Sequence, residues 1–293
     1  MYPITNFTHR LRQVSAATLL GFGLISAGVA HAADAKDSVH LAYVEWSSEV
    51  ASTNVMRVLL EKAGFDVKMS SLSAAAVWQA IATGDADATL AAWLPTTHAD
   101  YYERLKDKID DLGPNLDGTK LGLVVPAYTE ANTIDDLNAK ASDFNREIIG
   151  IDPGAGLQSL TEQVVKDYKL KLRLRDGSDA TMTAALSNAI KNNEDIVVTG
   201  WTPHWMFARW DLKYLEDPKN VYGGAEQIHT IARKGLKEDL PTAYAILDQF
   251  EWTPDDMGEI MLMNEEPNSD PYANAKKWVE DHPEKLKKWL ASE

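Results

Sequence analysis

The sequence contains no cysteine, which excludes disulfides, thiolate zinc sites, iron–sulfur clusters and cysteine nucleophiles. It is also short of positive charge, with 29 Lys and Arg against 44 Asp and Glu in 293 residues and a formal net charge of −15. That balance argues against a nucleic-acid-binding protein, because such proteins gain affinity by pairing with phosphates. Neither a metal site nor a cofactor is expected, since His204, His229 and His282 lack metal-ligand spacing and no dinucleotide or phosphate-loop fingerprint is complete.

Hydrophobic residues make up 45% of the chain and charged residues 25%, a composition typical of packed globular domains. The length suggests about two domains of ordinary size. Nine Trp and ten Tyr are present. A chain so rich in the largest aromatic residue is expected to use some of them for recognition as well as for core packing.

Residues 1–33 have the pattern of a signal peptide. Arg10 and Arg12 precede an apolar stretch, which ends at Ala30-His-Ala-Ala33, a small-residue sequence that a signal peptidase cleaves. A buried core helix is the alternative. We expect secretion into a Gram-negative periplasm and, because no cysteine can carry a lipid, a mature protein without a lipid anchor.

Along the rest of the chain, apolar runs of strand length alternate with segments of helical periodicity, which predicts an α/β fold with largely parallel sheets. The predicted strands are 39–44, 88–92, 121–126, 148–151 and 196–199. The predicted helices are 49–63, 77–82, 157–168 and 180–190, followed by a helical tail from Pro241 onward.

A faint internal repeat relates 87–95 to 195–203. In both segments a strand ends in Trp-x-Pro, at Trp93 and Trp201, and a strand and helix precede them in the same order. The repeat predicts two similar α/β lobes. Ligands of open α/β sheets bind at the carboxyl ends of the strands, so we expect these Trp residues to line a cleft.

Three strand-end loops carry Trp46, Trp93 and Trp201, and a fourth, 152–157, leads through two glycines into a helix. Aromatic faces attract cations, including quaternary ammonium groups, by about 0.5–2 kcal/mol for each contact. A glycine-rich helix start offers free backbone N–H groups to an anion. Together these loops predict a site for a zwitterion such as a betaine.

A single Trp is more often part of a core, and a single His at a loop is more often a cap or a surface residue. Trp78 lies at helical spacing and is assigned to the core. The other Trp residues assigned to packing are Trp252, Trp278 and Trp289. Trp205 and Trp210 are left unassigned.

Several segments resemble the glycine-betaine-binding protein of ABC-type osmoprotectant importers. They are 42–54, 92–98, 150–156, 198–207, 225–230 and 250–260. The resemblance covers essentially the whole mature chain. Some members of that family carry the two lobes in the opposite order, whereas here the lobe with Trp46 and Trp93 comes first.

The resemblance implies a set of ligand-binding residues: Trp46, Trp93 and Trp201 around the trimethylammonium group, with the backbone amides of Gly156 and Leu157 and the side chain of His98 on the carboxylate. The hydrogen bond from His98 is expected to strengthen when the ring is protonated.

The resemblance also implies a two-lobed fold of the periplasmic-binding-protein type (type II) with two crossings, placed near 124–128 and 227–232. Lobe one then comprises 38–125 plus 233–293, and lobe two comprises 126–232. The implied partners are a small ligand and the membrane permease of an ABC importer. We expect a monomer that is not an enzyme.

Three alternatives stay open. One is a binding protein for another methylated ligand, such as choline, carnitine or dimethylsulfoniopropionate. Another is a secreted hydrolase with His98 or His204 as base, although neither a Gly-x-Ser-x-Gly elbow nor a His-Glu-x-x-His helix supports it. The last is a sensory protein that presents closed lobes to a receptor.

Overall fold

The computed structural model describes residues 37–291. The predicted signal peptide, 1–33, lies outside the described residues. Within 37–291, no helix combines the length and the apolar character needed to cross a bilayer.

The described part contains nine strands. They are β1 Ser38–Tyr43, β2 Asp66–Ser71, β3 Ala88–Leu94, β4 Ile109–Pro126, β5 Glu147–Ile149, β6 Arg173–Arg175, β7 Val198–Thr202, β8 Leu212–Tyr214 and β9 Glu226–Arg233. The α-helices are α1 Ser47–Lys62, α2 Ala74–Thr83, α3 Ala99–Leu105, α4 Gly156–Asp167, α5 Asp179–Asn192, α6 Met206–Arg209, α7 Leu236–Asp239, α8 Pro241–Gln249, α9 Pro254–Asn264, α10 Pro271–Asp281 and α11 Pro283–Trp289.

The strands follow the order β2-β1-β3-β9-β4-β7-β5-β6, with β8 paired to β4. The groups β2-β1-β3 and β6-β5-β7 are each parallel and have the same internal order. This confirms the predicted internal repeat. The expectation of largely parallel sheets holds only for these two groups, because β9 and β4 run antiparallel to their neighbours.

Strand β4 belongs to both parts of the sheet. Residues 109–119 pair with β9, and residues 120–124 pair with β7. We call β2, β1, β3, β9 and 109–119 the first half-sheet, and 120–126, β7, β5, β6 and β8 the second half-sheet. The chain returns from the second half-sheet to the first between β8 and β9.

These pairings differ from the crossings expected near 124–128 and 227–232. The pairing partner of β4 changes earlier, at 119–120, and 227–232 lies inside β9 of the first half-sheet. The beginning of β4 is polar, contains Gly113, Pro114 and Gly118, and pairs with β9 through three irregularities of register, so its sequence lacks a strand pattern. The division into lobes stays a prediction.

Helix α1 packs on β1, β2 and β3 and is covered by the C-terminal helices α8, α9 and α10. The rings of Trp252, Trp278 and Trp289 pack with Phe250 in one cluster, each at most 4% exposed. Trp78 is 2% exposed. The four Trp residues assigned to packing are therefore buried as predicted.

Candidate functional site

A small cavity lies where the ends of β3 and β7 meet the start of α4. All six residues predicted to bind a ligand line it. The complete lining is Trp46, Ser48, Trp93, Thr97, His98, Leu121, Ile151, Ala155, Gly156, Leu157 and Trp201. The structure thus brings together residues that are as much as 155 positions apart in the sequence.

All three Trp residues lie at, or just beyond, the carboxyl end of a strand. Trp93 and Trp201 are the penultimate residues of β3 and β7, and Trp46 follows β1 as the N-cap residue of α1. Their exposures are 8% for Trp46 and 4% for each of the other two. Three indole rings on one cavity supply the aromatic faces that a cationic group requires.

The indole of Trp46 is also held from across the cavity. Its Nε1 donates a hydrogen bond of 2.9 Å to Oδ2 of Asp152, the residue that opens the glycine-rich turn before α4. This bond joins an element of the first half-sheet to one of the second and fixes the ring plane. The sequence placed Asp152 in the turn but gave it no role.

Helix α4 begins without a cap. Its N-cap residue is Ala155, which has no side-chain acceptor, and the amides of Gly156 and Leu157 find no acceptor among residues 37–291. Helices α5 and α9 begin with capping boxes formed by Ser178 and Thr253. The free amides and the positive end of the helix dipole therefore face the cavity as an anion-binding group.

Gly156 allows a close approach between the two half-sheets. A Cβ atom at this position would lie 2.1 Å from the carbonyl oxygen of Thr97, so any other residue would push the loop of Thr97 away. Gln158 braces the same turn, because its Oε1 accepts from the Ile151 N–H at 3.0 Å and its Nε2 donates to Asp176 at 3.0 Å. Only glycine fits position 156 in this arrangement.

His98 is buried, and its Nδ1 accepts a hydrogen bond of 3.0 Å from the backbone N–H of Trp93. The ring proton consequently sits on Nε2, which has no hydrogen-bond partner among the described residues. Burial lowers the pKa of His98 to about 4, although the nearby Ala91 carbonyl opposes the shift. Near neutral pH the ring is an uncharged donor, so the expected strengthening by protonation does not apply there.

The loop between Trp93 and His98 is fixed by Glu226 of β9. The carboxylate of Glu226, only 3% exposed, accepts from the N–H groups of Thr96 and Thr97 at 2.5 and 2.8 Å and from the Thr97 hydroxyl. In the sequence, nothing distinguishes Glu226 from other acidic residues except its position in the resembling segment 225–230.

None of the residues lining the cavity carries a formal charge while His98 is neutral. The walls offer π faces at one part and N–H donors at another. A ligand with separated positive and negative groups and no net charge is matched to such walls, because a buried net charge would lack a counter-ion.

Residues 37–281 match the family described as the substrate binding domain of ABC-type glycine betaine transport system, OpuAC. The chain belongs to this family. The resemblance drawn from the sequence is thereby confirmed, and so is the α/β fold class. OpuAC-family proteins are substrate-binding components of ABC importers that act outside the cytoplasmic membrane; they are not enzymes, which sets the hydrolase alternative aside.

Two solved OpuAC-type structures are similar over most of this chain. Lactococcal OpuAC in its closed-liganded conformation with glycine betaine is 45% identical, with a TM-score of 0.83, and the match covers 87% of this chain and all of that one. The glycine betaine, L-proline-binding protein ProX from Borrelia burgdorferi is 40% identical, with a TM-score of 0.85 and coverages of 87% and 97%.

Among curated relatives, the glycine betaine/carnitine transport binding protein GbuC of Listeria monocytogenes is 54% identical over 149 residues. That match spans 50% of this chain and about half, 49%, of the relative.

Proposed function

We propose that this chain is the binding protein of an ABC importer that captures glycine betaine or a related quaternary-ammonium zwitterion and delivers it to a membrane permease. The observation that carries the proposal is the meeting of three Trp rings and the uncapped start of α4 in one cavity. Relatives described as binding glycine betaine or carnitine support the same ligand class.

In this proposal Trp46, Trp93 and Trp201 surround the trimethylammonium group. That group has no N–H and cannot hydrogen-bond, so attraction to the ring faces replaces its hydration. The carboxylate accepts from the amides of Gly156 and Leu157 and from Nε2–H of His98. Glycine betaine has about eight non-hydrogen atoms, which limits its binding free energy to about −12 kcal/mol, and micromolar affinity, about −8 kcal/mol, is well within that limit.

Binding is coupled to closure of two lobes, each built on one half-sheet. The boundaries between the lobes are placed at 119–120 and in the segment between β8 and β9, instead of near 124–128 and 227–232. The ligand contacts Trp46, Trp93 and His98 from the first half-sheet and Trp201 and α4 from the second. A ligand that contacts both walls favours the closed state, because those contacts exist only there. The closed form is then what the permease recognises.

In the same proposal, residues 1–33 act as a cleaved signal peptide, and the mature protein is a monomer in the periplasm without a lipid anchor. Mass spectrometry of the protein isolated from a periplasmic fraction tests this, since it should begin near Ala33.

Titration calorimetry with glycine betaine, proline betaine, carnitine and choline tests the ligand assignment. We expect glycine betaine to bind at micromolar or lower concentration and choline to bind at least tenfold more weakly, because choline lacks the carboxylate that the amides anticipate. Absence of binding by every betaine would refute the proposal. Preference for choline would mean that the natural ligand is a cation and not a zwitterion.

A further inference from the structure

Asp179, the first residue of α5, is a buried carboxylate outside the ligand cavity. It is 5% exposed. Its Oδ2 accepts a hydrogen bond of 2.8 Å from the backbone N–H of Ser47, and its Oδ1 lies 3.0 Å from Nε2 of His204. Ser47 is the first residue of α1, which packs on the first half-sheet. Asp179 begins α5, which packs on β7 of the second half-sheet, and His204 follows β7.

The hydrogen bonds of His204 fix which of its nitrogens carries the proton. Its Nδ1 accepts from the N–H of Met206 at 3.1 Å, so Nε2 is the protonated nitrogen and donates to Asp179. The side chain of His204 has no exposed surface, and its ring meets that of Trp201 edge-on with centroids 4.5 Å apart. His204 therefore holds the Trp201 ring in place.

Asp179 thus stands between two of the three Trp residues of the proposed ligand cage, which is formed by Trp46, Trp93 and Trp201. Through Ser47 it reaches the residue next to Trp46, and through His204 it reaches Trp201. Burial alone would raise the pKa of Asp179, but His204 and the Ser47 amide together hold it below the ordinary value, so the group is an anion at neutral pH. A buried anion is costly unless every partner is in place, which makes the pair of donors mutually dependent.

We infer that Asp179 is the positioning residue that locks the two half-sheets in the ligand-bound arrangement, by accepting the Ser47 amide only when Trp46 and Trp201 face each other. This inference rests on the proposed function. It predicts that the Asp179–Ser47 bond slows release of the ligand without contributing to the first encounter.

Ser47 permits a test that leaves Asp179 and His204 untouched. It is the first helical residue of α1, a position that accepts proline, and the preceding Trp46 has the extended conformation (φ −90°, ψ 141°) that proline favours before it. Ser47→Pro therefore removes one N–H with little change to the helix. Ser47→Ala is the matched control, because it keeps the N–H and loses only the hydroxyl, which Ser47→Pro loses as well and which lowers the pKa of Asp179 less than the N–H does.

Glycine betaine binding is measured by calorimetry, and its association and dissociation rates by stopped-flow Trp fluorescence. We expect Ser47→Pro to raise Kd by about tenfold or more, through faster dissociation at an unchanged association rate, because a hydrogen bond to a buried charge is lost. Ser47→Ala should raise the dissociation rate much less than Ser47→Pro does. Equal dissociation rates for the two variants would overturn the inference.

The variant Asp179→Asn is a second test of the role of Asp179. Asparagine offers one carbonyl oxygen to two donors, so one of them loses its partner and dissociation should again accelerate. Asp87→Asn is its control, because Asp87 bonds to His40 and Arg233 within the first half-sheet and should leave dissociation unchanged. If the parent binds no betaine, the proposed function itself fails. If the parent binds and both Ser47→Pro and Asp179→Asn release ligand at its rate, only the role of Asp179 fails.

Discussion

The indole N–H of Trp46 donates to the carboxylate of Asp152 across the ligand cavity, at 2.9 Å. One ring thus serves as a wall of the cage and as a link between the half-sheets. Trp46→Phe keeps an aromatic face but removes this bond. Because the acceptor is charged and partly exposed, we expect a loss of about 1 kcal/mol, or a rise of about fivefold in the Kd for glycine betaine measured by calorimetry.

Trp278→Phe is the matched control for this change. Its indole N–H donates to Glu259 at 2.8 Å among the C-terminal helices, away from the cavity. The control should lower the melting temperature and leave Kd unchanged. Equal affinities for Trp46→Phe and the parent would mean that the link to Asp152 contributes nothing to binding.

Replacing Trp93 or Trp201 with leucine tests whether the rings act through their π faces or only as apolar walls. We expect several-fold to about 30-fold weaker binding of glycine betaine for each, since a cation–π contact contributes about 0.5–2 kcal/mol. The comparison ligand is tert-butylacetate, in which a neutral tert-butyl group replaces trimethylammonium. The parent should prefer glycine betaine, and both variants should lose much of that preference, whereas Trp252→Leu keeps it. An undiminished preference would argue against the cage.

Gly156→Ala tests the contact between the two half-sheets. The added Cβ would meet the Thr97 carbonyl oxygen at 2.1 Å, so the loop of Thr97 has to move and the cavity cannot close as it does here. We expect at least a tenfold loss of affinity by calorimetry. Gly258→Ala, in α9, meets nothing within 4 Å and should bind normally while gaining some stability. Normal binding by Gly156→Ala would show that closure tolerates a wider gap.

The sequence was sufficient for residues whose signal is local. Trp93 and Trp201 sit at strand ends in a repeated Trp-x-Pro segment, and a general rule of α/β sheets places strand ends at the ligand. The order β2-β1-β3 and its copy β6-β5-β7 follow from the same repeat. The uncapped start of α4 can also be inferred from the sequence, because the N-cap position holds Ala155, which has no side-chain acceptor, where Ser, Thr or Asp is usual.

The acidic partners that lie far away in the sequence could not be inferred in this way. Asp152 lies 106 residues from Trp46, Glu226 lies 130 from Thr96, and Asp179 lies 132 from Ser47. Each is an ordinary acidic residue in an acidic chain, and only the tertiary structure distinguishes it from a solvated one. Strand β9 was missed for a related reason, since its place is set by pairing with β3 and β4.

His98 should bind its ligand as a neutral donor over a wide pH range. Because burial lowers its pKa to about 4, the Kd for glycine betaine should change less than about twofold between pH 8 and 6, and His98→Phe should weaken binding about tenfold at both. A clear gain in parent affinity at pH 6 would show that the ring is protonated in the complex. In the free protein, the low pKa means that stability falls as pH drops from 6.5 toward 4, because only the unfolded chain takes up the proton.

Glu49 lies behind the cage and has the opposite effect on the pH dependence of stability. It is 3% exposed, accepts the Val44 N–H at 2.6 Å, and shares a small cavity with Trp46 and His98. Burial raises its pKa from 4.5 to about 8, against the effect of the Val44 hydrogen bond. Between these pH values the folded protein holds a proton that the unfolded chain releases, so this group makes stability fall as pH rises.

Glu49→Gln keeps an acceptor for the Val44 N–H and removes the titration. We expect the free energy of unfolding of the variant, relative to the parent, to increase by about 1 kcal/mol for each pH unit between pH 5 and 8, as measured by urea unfolding. Glu103→Gln, which changes an exposed carboxylate on α3, is the control, and the difference between its free energy of unfolding and that of the parent should stay constant over this pH range. If the difference between Glu49→Gln and the parent is constant over this range, the carboxyl of Glu49 is ionised in the folded protein, and the cavity behind Trp46 must supply it with a further donor.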